Sequence, residues 1–520
     1  MHKLILKGNK AFNWSNNGNH HLIGMFFKDN VLLQEEKAID YLIKNETQKL
    51  ENGIYSLISI TESEITIKCD SINYFPIFYT FLNSKWVLSD SWEEIIRVKE
   101  NFAPNTMVET EFINAGFVLG NNTLDKDIHK TRSGKITILK SNGNVDFIPQ
   151  WDYIQRETYS ENIEKLKTKS FDIFESTAKR MISFLNGRTA VVPLSGGFDS
   201  RLIASLLKKH NYKDVICFTY GKPNQEVDIS RKVAKTLGYK WYFIDYTKLK
   251  IADFNKDPDF LKYIDFAGNG YSMPYLQEYF AVNELKTKGL IPENSVFLPG
   301  HSGDFIGGSY VLKSAKTNTK NIPAYIAKKY FFFFENKDNK SLEKSISSNI
   351  DIKASTHQNG DYNSFIEDWD IKEKLSKFIF HSSVVFNYFD YQHYFPLWDL
   401  ELLLFYRNVP YPLRAEKNLY DHTLIEFYFK PLDVYYDDDE LSKTKTYIIY
   451  QRLKDSLRHF FPWSYVKKRM TQNDWINYSQ FCSILENELS QNGFNKLKRY
   501  KLFNAVICKW YLYKKGFYNS

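Results

Sequence analysis

The sequence lacks the features that mark several broad classes of protein. Its four cysteines, Cys69, Cys217, Cys482 and Cys508, stand far apart, so neither a CxxC metal pattern nor a disulfide framework is present. No apolar run reaches the ~18 residues of a membrane-spanning helix, and the N-terminal apolar stretch is too short for a signal peptide. We therefore expect a cytoplasmic protein with no membrane span.

A strong excess of one charge is also missing. The 69 Lys and Arg residues against 61 Asp and Glu residues leave a formal net charge of +8, which is mild for 520 residues. No basic cluster interleaved with aromatic residues is visible, so we expect no nucleic-acid partner. The composition, 43% apolar and 25% charged, is that of an ordinary globular chain.

Two hydrophobic patterns divide the chain. From residue 20 to about residue 150, short β-type runs alternate with turn residues, which predicts an antiparallel sheet region; the runs are HLIGMFF, YSLISI, ITIKCD, IFYTFL, WVLSD and KITILK. From Glu161 the pattern changes to long amphipathic helices. We place the domain boundary near residues 150–160, which gives units 1–155 and 156–520.

The second unit begins with an alternation of strands and helices. TAVVPL, VICFTYG and KWYFIDY are short apolar strands, and the intervening RLIASLLKKH and VDISRKVAKTLGY have the spacing of helices. Parallel strands joined by helical crossovers imply a doubly wound sheet. The fold class is therefore α/β, with an antiparallel β-rich N-terminal part and a doubly wound C-terminal part carrying extra helices.

The loop after TAVVPL has the chemistry of an anion site. A helix start offers unpaired N–H groups, and two glycines let the main chain approach phosphate oxygens closely. The loop consists of Ser195, Gly196, Gly197, Phe198, Asp199 and Ser200. Its serines add hydroxyl donors, Asp199 is a candidate Mg²⁺ ligand, and no Lys-Ser/Thr pair follows, which excludes a Walker A loop. The alternative is a structural turn with a Ser/Asp cap.

The string SGGFDS resembles the SGGxDS pyrophosphate loop of the N-type ATP pyrophosphatases. These enzymes release pyrophosphate from ATP by adenylating a carboxylate or carbonyl oxygen. The resemblance implies nucleotide contacts from Leu194 and from residues 195–200, with Mg²⁺ held by Asp199. It makes ATP and Mg²⁺ the expected cofactors.

A second segment, GHSGDFIGG at residues 300–308, resembles GEGADELFGG of the asparagine synthetases. The resemblance implies a second metal carboxylate at Asp304 and nucleotide contacts at Gly300 and Ser302. It places His301 where the family usually has Glu, as the catalytic acid/base candidate. The alternative is again an ordinary loop turn.

Two further stretches resemble the same family. FTYGKPNQEVDISRKVAKTLG is similar to its second strand and acidic helix, which implies that Thr219, Tyr220 and Gly221 lie near the adenine. FPWSYVKKRM is similar to the family's LPxxxxxRxKxGF ending, whose lysine contacts the phosphates and the charged intermediate. This implies a catalytic role for Lys467 or Lys468, unless the basic run is merely a solvated surface.

The N-terminal region is similar to the family's class II glutaminase half. GIYSLISI and CDSINYFPIFYTF correspond to its GxFAF and RDxxGxxPLYY strings. Such glutaminases use a cysteine exposed at the N-terminus after Met removal, with its own α-amine as the base. Here position 2 is His2, and Cys69 is too far along the chain to replace that cysteine. We expect a degenerate domain that does not hydrolyse glutamine.

The family's aspartate-binding string is missing from this sequence, so we expect a substrate other than aspartate. Asparagine synthetases hold aspartate with a TTIRAS-like string, and the stretch IDFAGNGYSMPYLQEYF has neither its Arg nor its Thr pair. Instead it offers Tyr263, Asn269, Tyr271 and Ser272, which suit a polyhydroxy ligand.

Three functions stay open. The first is an AMP-forming amide ligase acting on a carboxylate, with a sugar acid of a surface-polysaccharide pathway as the leading candidate. Ammonia, from solution or a separate glutaminase, or an amine would supply the nitrogen. The second is a macrolactam or β-lactam-type cyclase, and the third a non-catalytic nucleotide-binding descendant. The oligomeric state is open, with a homodimer among the alternatives.

Overall fold

The fold is taken from a computed structural model of the chain. It describes residues 2–45, 49–309, 311, 322–334, 339–350, 362–436, 468, 470–494 and 500–517. Within these ranges no helix is both long and apolar enough to cross a bilayer. The sequence predicts a solvated loop for the acidic run Asp437 to Glu440, and this run lies outside the described residues.

The N-terminal part contains two sheets. Every strand predicted from the sequence in this region is present. A seven-stranded sheet has the order β11-β10-β6-β5-β3-β2 with β4 paired to β3, and a four-stranded sheet has the order β1-β8-β7-β9. The strands are β1 His2–Ile5, β2 Ser15–Asn17, β3 His20–Lys28, β4 Val31–Gln34, β5 Asn52–Ile60, β6 Glu64–Cys69, β7 Phe78–Leu82, β8 Lys85–Ser89, β9 His129–Lys130, β10 Lys135–Lys140 and β11 Val145–Pro149.

The two N-terminal sheets pack face to face because their strands alternate. In β6 buried and half-buried side chains follow one another at the strand period of two. Ile58 and Ile67 of the larger sheet share one apolar cluster with Tyr79 and Leu88 of the smaller sheet. The sequence reasoning missed β1, which pairs in parallel with β8 and so ties the start of the chain into the smaller sheet.

The C-terminal part is built on a parallel sheet, as predicted. Its order is β14-β13-β12-β15-β16, and every pairing in it is parallel. The strands are β12 Ala190–Pro193, β13 Val215–Gly221, β14 Lys240–Asp245, β15 Val296–Phe297 and β16 Gln392–His393. The chain moves from β12 outward to β14 and then returns to the other side of β12, so the switch point lies between β12 and β15. Open α/β sheets bind ligands at the carboxyl ends of the strands there.

Helices flank this sheet in the part of the chain that the structure describes. The α-helices are α1 Glu35–Lys44, α2 Trp92–Lys99, α3 Glu109–Ala115, α4 Ile163–Leu185, α5 Phe198–Lys209, α6 Gln225–Leu237, α7 Pro258–Gly268, α8 Tyr279–Thr287, α9 Gly303–Gly307, α10 Ile322–Tyr330, α11 Asn339–Ser348, α12 Tyr362–Asp370, α13 Val384–Tyr388, α14 Leu400–Asn408, α15 Tyr411–Arg414, α16 Asn418–Leu424, α17 Tyr478–Gln491 and α18 Asn504–Lys514. Two π-helical segments, Ile371–Phe380 and Ile425–Phe429, extend α12 and α16.

Capping chemistry sets the ends of the helices next to the sheet. The Asn162 side chain accepts a hydrogen bond from the Lys165 N–H at 3.0 Å, so α4 begins where the amphipathic pattern begins. Asn224 caps α6 in the same way, and Gly238, at φ 75°, ends it in the left-handed conformation. These ends position the helices that flank β12 and β13.

The N-terminal sheets and the C-terminal part share buried cores. Ile23 and Met25 of β3 belong to the same apolar cluster as Phe174 of α4 and Val192 of β12. A boundary near residues 150–160, after the last antiparallel strand, stays a prediction. The shared cores show that the two regions pack closely against each other.

Asp399 is a buried polar junction between the two regions. Its carboxylate accepts two hydrogen bonds from the Arg180 guanidinium, at 2.6 and 2.8 Å. The Asn52 amide of β5 adds a third, at 3.0 Å, and Asp399 also caps α14 through the Glu401 N–H at 2.9 Å. One carboxylate therefore joins a strand of the N-terminal sheet to α4 and α14.

We expect Asp399→Ala to destabilise the chain by ~3–5 kcal/mol, because it removes the buried partner of the Arg180 guanidinium together with the cap of α14, and leaves Arg180 only the half-exposed Glu401 carboxylate. The measurement is thermal unfolding of the full chain. Asp146→Ala removes a carboxylate whose ion pair with Lys140 is exposed, and it should cost less than ~1 kcal/mol. Equal losses in the two variants would show that the junction does not hold the regions together.

Candidate active site

The first wall of the site is the loop between β12 and α5. The Ser200 hydroxyl accepts a hydrogen bond from the Ser195 N–H at 3.0 Å, which folds the loop back on the start of α5. Gly197 caps α5 without any side-chain hydrogen bond to the first turn. Since Ser195 and Gly197 are exposed, the N-terminal end of α5 faces open space. This is the arrangement that binds anionic groups.

The segment after β15 forms the second wall and lies directly against the first. A Cβ atom at Gly303 would come within 2.2 Å of the Asp199 carboxyl carbon, and one at Gly300 within 2.9 Å of the Ser200 nitrogen. Only glycine permits this approach at either position. The structure thus brings together the two segments that the sequence singled out.

A lysine that the sequence reasoning missed joins the two predicted metal carboxylates. Lys417 Nζ donates to Asp199 Oδ1 at 3.1 Å and to Asp304 Oδ1 at 2.9 Å. The Tyr420 hydroxyl donates to the same Asp199 oxygen at 3.0 Å. Lys417 has a left-handed backbone, at φ 62°, immediately before α16. Asp199, Asp304 and Lys417 are called the charge triad below.

Burial and mutual attraction set the protonation of the charge triad. Burial, together with repulsion from Asp304, raises the pKa of Asp199 to about 6, although Lys417 and Tyr420 oppose this. Burial alone would lower the pKa of Lys417, but attraction to Asp199, Asp304 and Asp421 outweighs it and raises the pKa above the usual lysine value. The lysine is therefore a fixed cation at neutral pH.

The two aspartates suit a Mg²⁺ ion that also takes phosphate oxygens. Both carboxylates already converge on one cation, the Lys417 ammonium. In the described part of the chain no third His, Cys, Asp or Glu joins them to form a complete protein metal site. Mg²⁺ in nucleotide sites typically takes one or two carboxylates and completes its shell with phosphate and water.

His301 lies in the same cavity. Its Nε2 is 3.3 Å from the Ser382 hydroxyl, and its ring lies near Phe380 and Phe395. Burial lowers the pKa of His301 to about 4, so the imidazole is neutral at physiological pH. A neutral imidazole with so low a pKa is a weak proton acceptor, which favours an orienting hydrogen bond over general base catalysis.

The walls enclose a cavity of about 530 Å³ at the carboxyl ends of the parallel strands. This volume is within the usual range for small-molecule sites. Its lining includes these predicted residues: Leu194, Ser195, Gly197, Phe198, Asp199, Ser200, Thr219, Tyr220, Gly300, His301 and Asp304. Most of the predicted nucleotide contacts therefore face one space.

The remaining predicted residues do not line this cavity. Gly196 packs against Glu226, Gly221 lies under the Trp475 carbonyl, and the Ser302 hydroxyl donates to the Leu397 carbonyl at 2.9 Å. Lys468 is exposed and is not part of the lining. Lys467 lies outside the described residues.

The residues suggested for a polyhydroxy substrate have structural partners instead. The Tyr271 hydroxyl is 2.8 Å from His381 Nδ1, and the Ser272 hydroxyl donates to the Lys377 carbonyl at 2.7 Å. Tyr263 hydrogen-bonds the Tyr275 carbonyl, and Asn269 accepts from the Trp92 N–H at 2.8 Å. None of the four lines this cavity, and a substrate role for them stays a prediction.

An aromatic wall closes the side of the cavity at the end of β13. The Tyr220 ring lies against the Trp475 ring, with centroids 6.0 Å apart and planes 26° from parallel. Gly221, at φ 116°, allows the Trp475 carbonyl to approach, since a Cβ there would lie 2.6 Å from that oxygen. Trp475 comes from a distant part of the chain, which explains why the sequence did not reveal it.

Glu278, just before α8, also lines the cavity, and its side chain is in an unusual state. It is 6% exposed, and its Oε2 has no hydrogen-bond partner. Burial raises the pKa of Glu278 to about 7, and a hydrogen bond from Tyr220 offsets only part of this effect. The folded chain therefore holds a proton on Glu278 more tightly than the unfolded chain does.

We expect Glu278→Gln to be more stable, relative to the wild-type protein, at pH 8 than at pH 5. The folded pKa of about 7 lies above the ordinary value of 4.5, so stability is lost as pH rises from about 4.5 to 7. A glutamine side chain does not titrate, so the variant does not lose this stability. The free energy of unfolding of the variant relative to wild type should therefore rise between pH 5 and pH 8 by ~3 kcal/mol at most. The measurement is thermal unfolding at both pH values.

The matched control is Glu284→Gln on α8, whose carboxylate pairs with Lys288 and is partly exposed. It should shift the stability by less than ~1 kcal/mol at either pH. A Glu278→Gln effect that does not change with pH would contradict the buried, proton-binding state of this carboxyl group.

Comparisons with known proteins find one family and two solved structures to which this chain is similar. The family model for asparagine synthase matches residues 175–418. No curated protein matches the chain. Among solved structures, an NH₃-dependent NAD synthetase from Campylobacter jejuni is similar at 14% identity and a TM-score of 0.19, over 28% of this chain and 61% of its own. A glutamine phosphoribosylpyrophosphate amidotransferase from B. subtilis is similar at 10% identity and a TM-score of 0.18, over 45% of this chain and 72% of its own.

Both structural likenesses are distant, whereas the family match covers the loop after β12, the segment after β15 and Lys417. The residues that form the charge triad therefore all lie inside the matched region. Residues 175–418 form a domain of the asparagine synthase family.

Proposed function

We propose that this chain is an ATP-dependent amide ligase that adenylates a carboxylate, releases pyrophosphate and then joins the acyl group to nitrogen. The observation that carries this proposal is the position of the charge triad. Its three side chains meet at the uncapped N-terminus of α5, at the switch point of a parallel sheet. That is where a polyphosphate would be held.

The protein supplies its own positive groups for the phosphates. The N-terminal residues of α5, Phe198 and Asp199, line the cavity, and Lys417 provides a full charge beside them. The carboxylates of Asp199 and Asp304 would hold Mg²⁺, which would neutralise the polyphosphate. With the ion bound there, Lys417 would be able to donate to a phosphate oxygen.

The reaction needs charge stabilisation in two steps. A carboxylate oxygen attacks the α-phosphorus of ATP, the bond between that phosphorus and the bridging oxygen breaks, and pyrophosphate leaves. A nitrogen nucleophile then attacks the carbonyl carbon, loses a proton, and AMP leaves. Negative charge grows on the pyrophosphate in the first step and on the carbonyl oxygen in the second, and a nearby ammonium stabilises both.

Lys417 fits this requirement by its position. Lys467 and Lys468 stay candidates for a second cation, on the resemblance of FPWSYVKKRM to the family's lysine-bearing ending. His301 would orient a substrate group by hydrogen bonding in its neutral form. In this proposal the aspartates bind Mg²⁺, Lys417 stabilises negative charge and His301 orients the substrate.

The acceptor carboxylate is proposed to be a sugar acid from a surface-polysaccharide pathway. The alternatives are a macrolactam or β-lactam-type cyclase, and a non-catalytic nucleotide-binding descendant. The intact charge triad is an argument against the last, because a binding protein without turnover needs no such convergence of two carboxylates on a cation.

The N-terminal unit is proposed to be a glutaminase-like domain that has lost its nucleophile. Position 2 is His2, and Cys69 is buried, with its thiol pKa raised to about 12 by burial. A thiol in that state is not an activated nucleophile. The nitrogen would then come from ammonia, from a separate glutaminase or from an amine, and a homodimer is a candidate assembly.

The test is ATP–pyrophosphate exchange by the full chain with Mg²⁺ and a panel of carboxylates. We expect Asp199→Asn and Lys417→Met each to reduce the exchange by at least ~100-fold, the usual scale for losing one charge-stabilising group. Lys262→Met is the control, because its ion pair with Asp259 is exposed and on α7. Lys467→Met and Lys468→Met, made singly, decide which of them contributes.

The choice of carboxylate separates the functions. Exchange that depends on sugar acids supports the amide ligase, whereas dependence on peptides or β-amino acids supports the cyclase. Silence across the panel supports the non-catalytic descendant. Exchange at the normal rate in Asp199→Asn would mean that the charge triad is not the active site.

A further inference from the structure

The cavity carries more negative charge than its one lysine balances. Among the described residues that line it, the carboxylates are those of Asp199, Glu226, Glu278, Asp304 and Asp421. Lys417 is the one permanent cation among these lining residues, and it already contacts Asp199 and Asp304. The Mg²⁺ ion proposed at Asp199 and Asp304 would accompany the polyphosphate, so the remaining carboxyl groups, Glu278 among them, suit a second ligand with positive charge.

Glu278 is a buried carboxyl group with incomplete hydrogen bonding. Its Oε2 has no hydrogen-bond partner, and the residue is only 6% exposed. A buried carboxyl oxygen without a donor is unfavourable, and the group compensates by holding its proton up to a pKa of about 7. An N–H donor from a ligand would satisfy this oxygen and stabilise the ionised form.

The neighbouring aromatic wall favours the same kind of ligand. Trp475 is 38% exposed and lies against Tyr220, which hydrogen-bonds the Glu278 carboxyl group. The face of an indole ring attracts cations, and it does so more strongly where water is excluded. Glu278 and Trp475 both line the cavity and both contact Tyr220, so this part of the cavity is a suitable environment for an organic ammonium group.

We infer that Glu278 and Trp475 form a subsite for the amino group of an organic amine, which serves as the nitrogen donor in place of free ammonia. The inference rests on the proposed amide ligase function for its biological meaning. The subsite itself rests on the unpartnered oxygen, the aromatic wall and the charge of the lining. The substrate class is a primary amine attached to an apolar or aromatic group.

The exocyclic amino group of adenine is the competing ligand, because it is also an N–H donor on a flat ring. The two are separated by binding measurements that need no turnover. Calorimetry on the full chain compares benzylamine with its neutral isostere benzyl alcohol, and ATP with ITP, whose base lacks the amino group. Each pair is measured for the wild-type chain, Glu278→Gln, Trp475→Ala and the control Glu284→Gln.

We expect the wild-type chain to bind benzylamine at least ~10-fold more tightly than benzyl alcohol at pH 8. Glu278→Gln should abolish this preference and Trp475→Ala should weaken it, while Glu284→Gln leaves it unchanged. The preference should decrease at pH 5, where Glu278 is protonated, and the ATP-to-ITP ratio should be the same in all variants.

Two results would overturn the inference. One is benzylamine binding that is absent or unaffected by Glu278→Gln. The other is loss of the preference for ATP over ITP in Glu278→Gln, which would assign the carboxyl group to the adenine. Amine binding without any ATP–pyrophosphate exchange would instead refute the ligase proposal alone, so the two failures are distinguishable.

Discussion

The attraction between one lysine and two aspartates from different loops is the interaction on which the site depends. The Lys417 ammonium nitrogen lies 3.1 Å from the Asp199 carboxylate and 2.9 Å from the Asp304 carboxylate, and its charge offsets the repulsion between them. Glycines at 300 and 303 give the loops room to approach, and the parallel sheet delivers both loops to one edge. Without a cation between them, the two carboxylates would repel each other at the place where the polyphosphate is proposed to bind.

Much of the fold was predictable because the periodicity of the sequence is strong. The antiparallel runs, α4 and the alternation from β12 to β14 all follow directly from spacing and capping residues. β1 was missed because a four-residue strand, His2–Ile5, carries too little pattern to distinguish it from an apolar terminus. Its structure depends on pairing with β8, which is more than 80 residues away.

The site was predictable only where it is a contiguous motif. SGGFDS and GHSGD are local strings, so the carboxylates of Asp199 and Asp304 were found. Lys417 is a single basic residue without a motif. Its left-handed backbone lies just before α16, and its side chain contacts Asp199 and Asp304, which are 218 and 113 positions away in the sequence. Trp475 and Glu278 are similar cases, because burial and missing partners are properties of the packed chain and not of the sequence near them.

The acidic cavity, with its wall of Tyr220 and Trp475, is the basis for proposing a substrate other than aspartate. The residues that the sequence offered for a polyhydroxy ligand are bonded within the protein, while Glu278 and Trp475 face the cavity. Specificity in such a site would come from matching an unpaired buried group, since a ligand without the matching donor leaves that group unsatisfied. The cavity would thus bind the phosphates and the amine through different interactions.

A crystal structure of the full chain with Mg²⁺ and α,β-methylene ATP, an analogue that cannot release pyrophosphate, tests directly whether the charge triad is the polyphosphate site. We expect the phosphates at the N-terminus of α5, Mg²⁺ held by Asp199 and Asp304, and Lys417 turned to a phosphate oxygen. Phosphates bound elsewhere, with Lys417 still bridging the two aspartates, would contradict it.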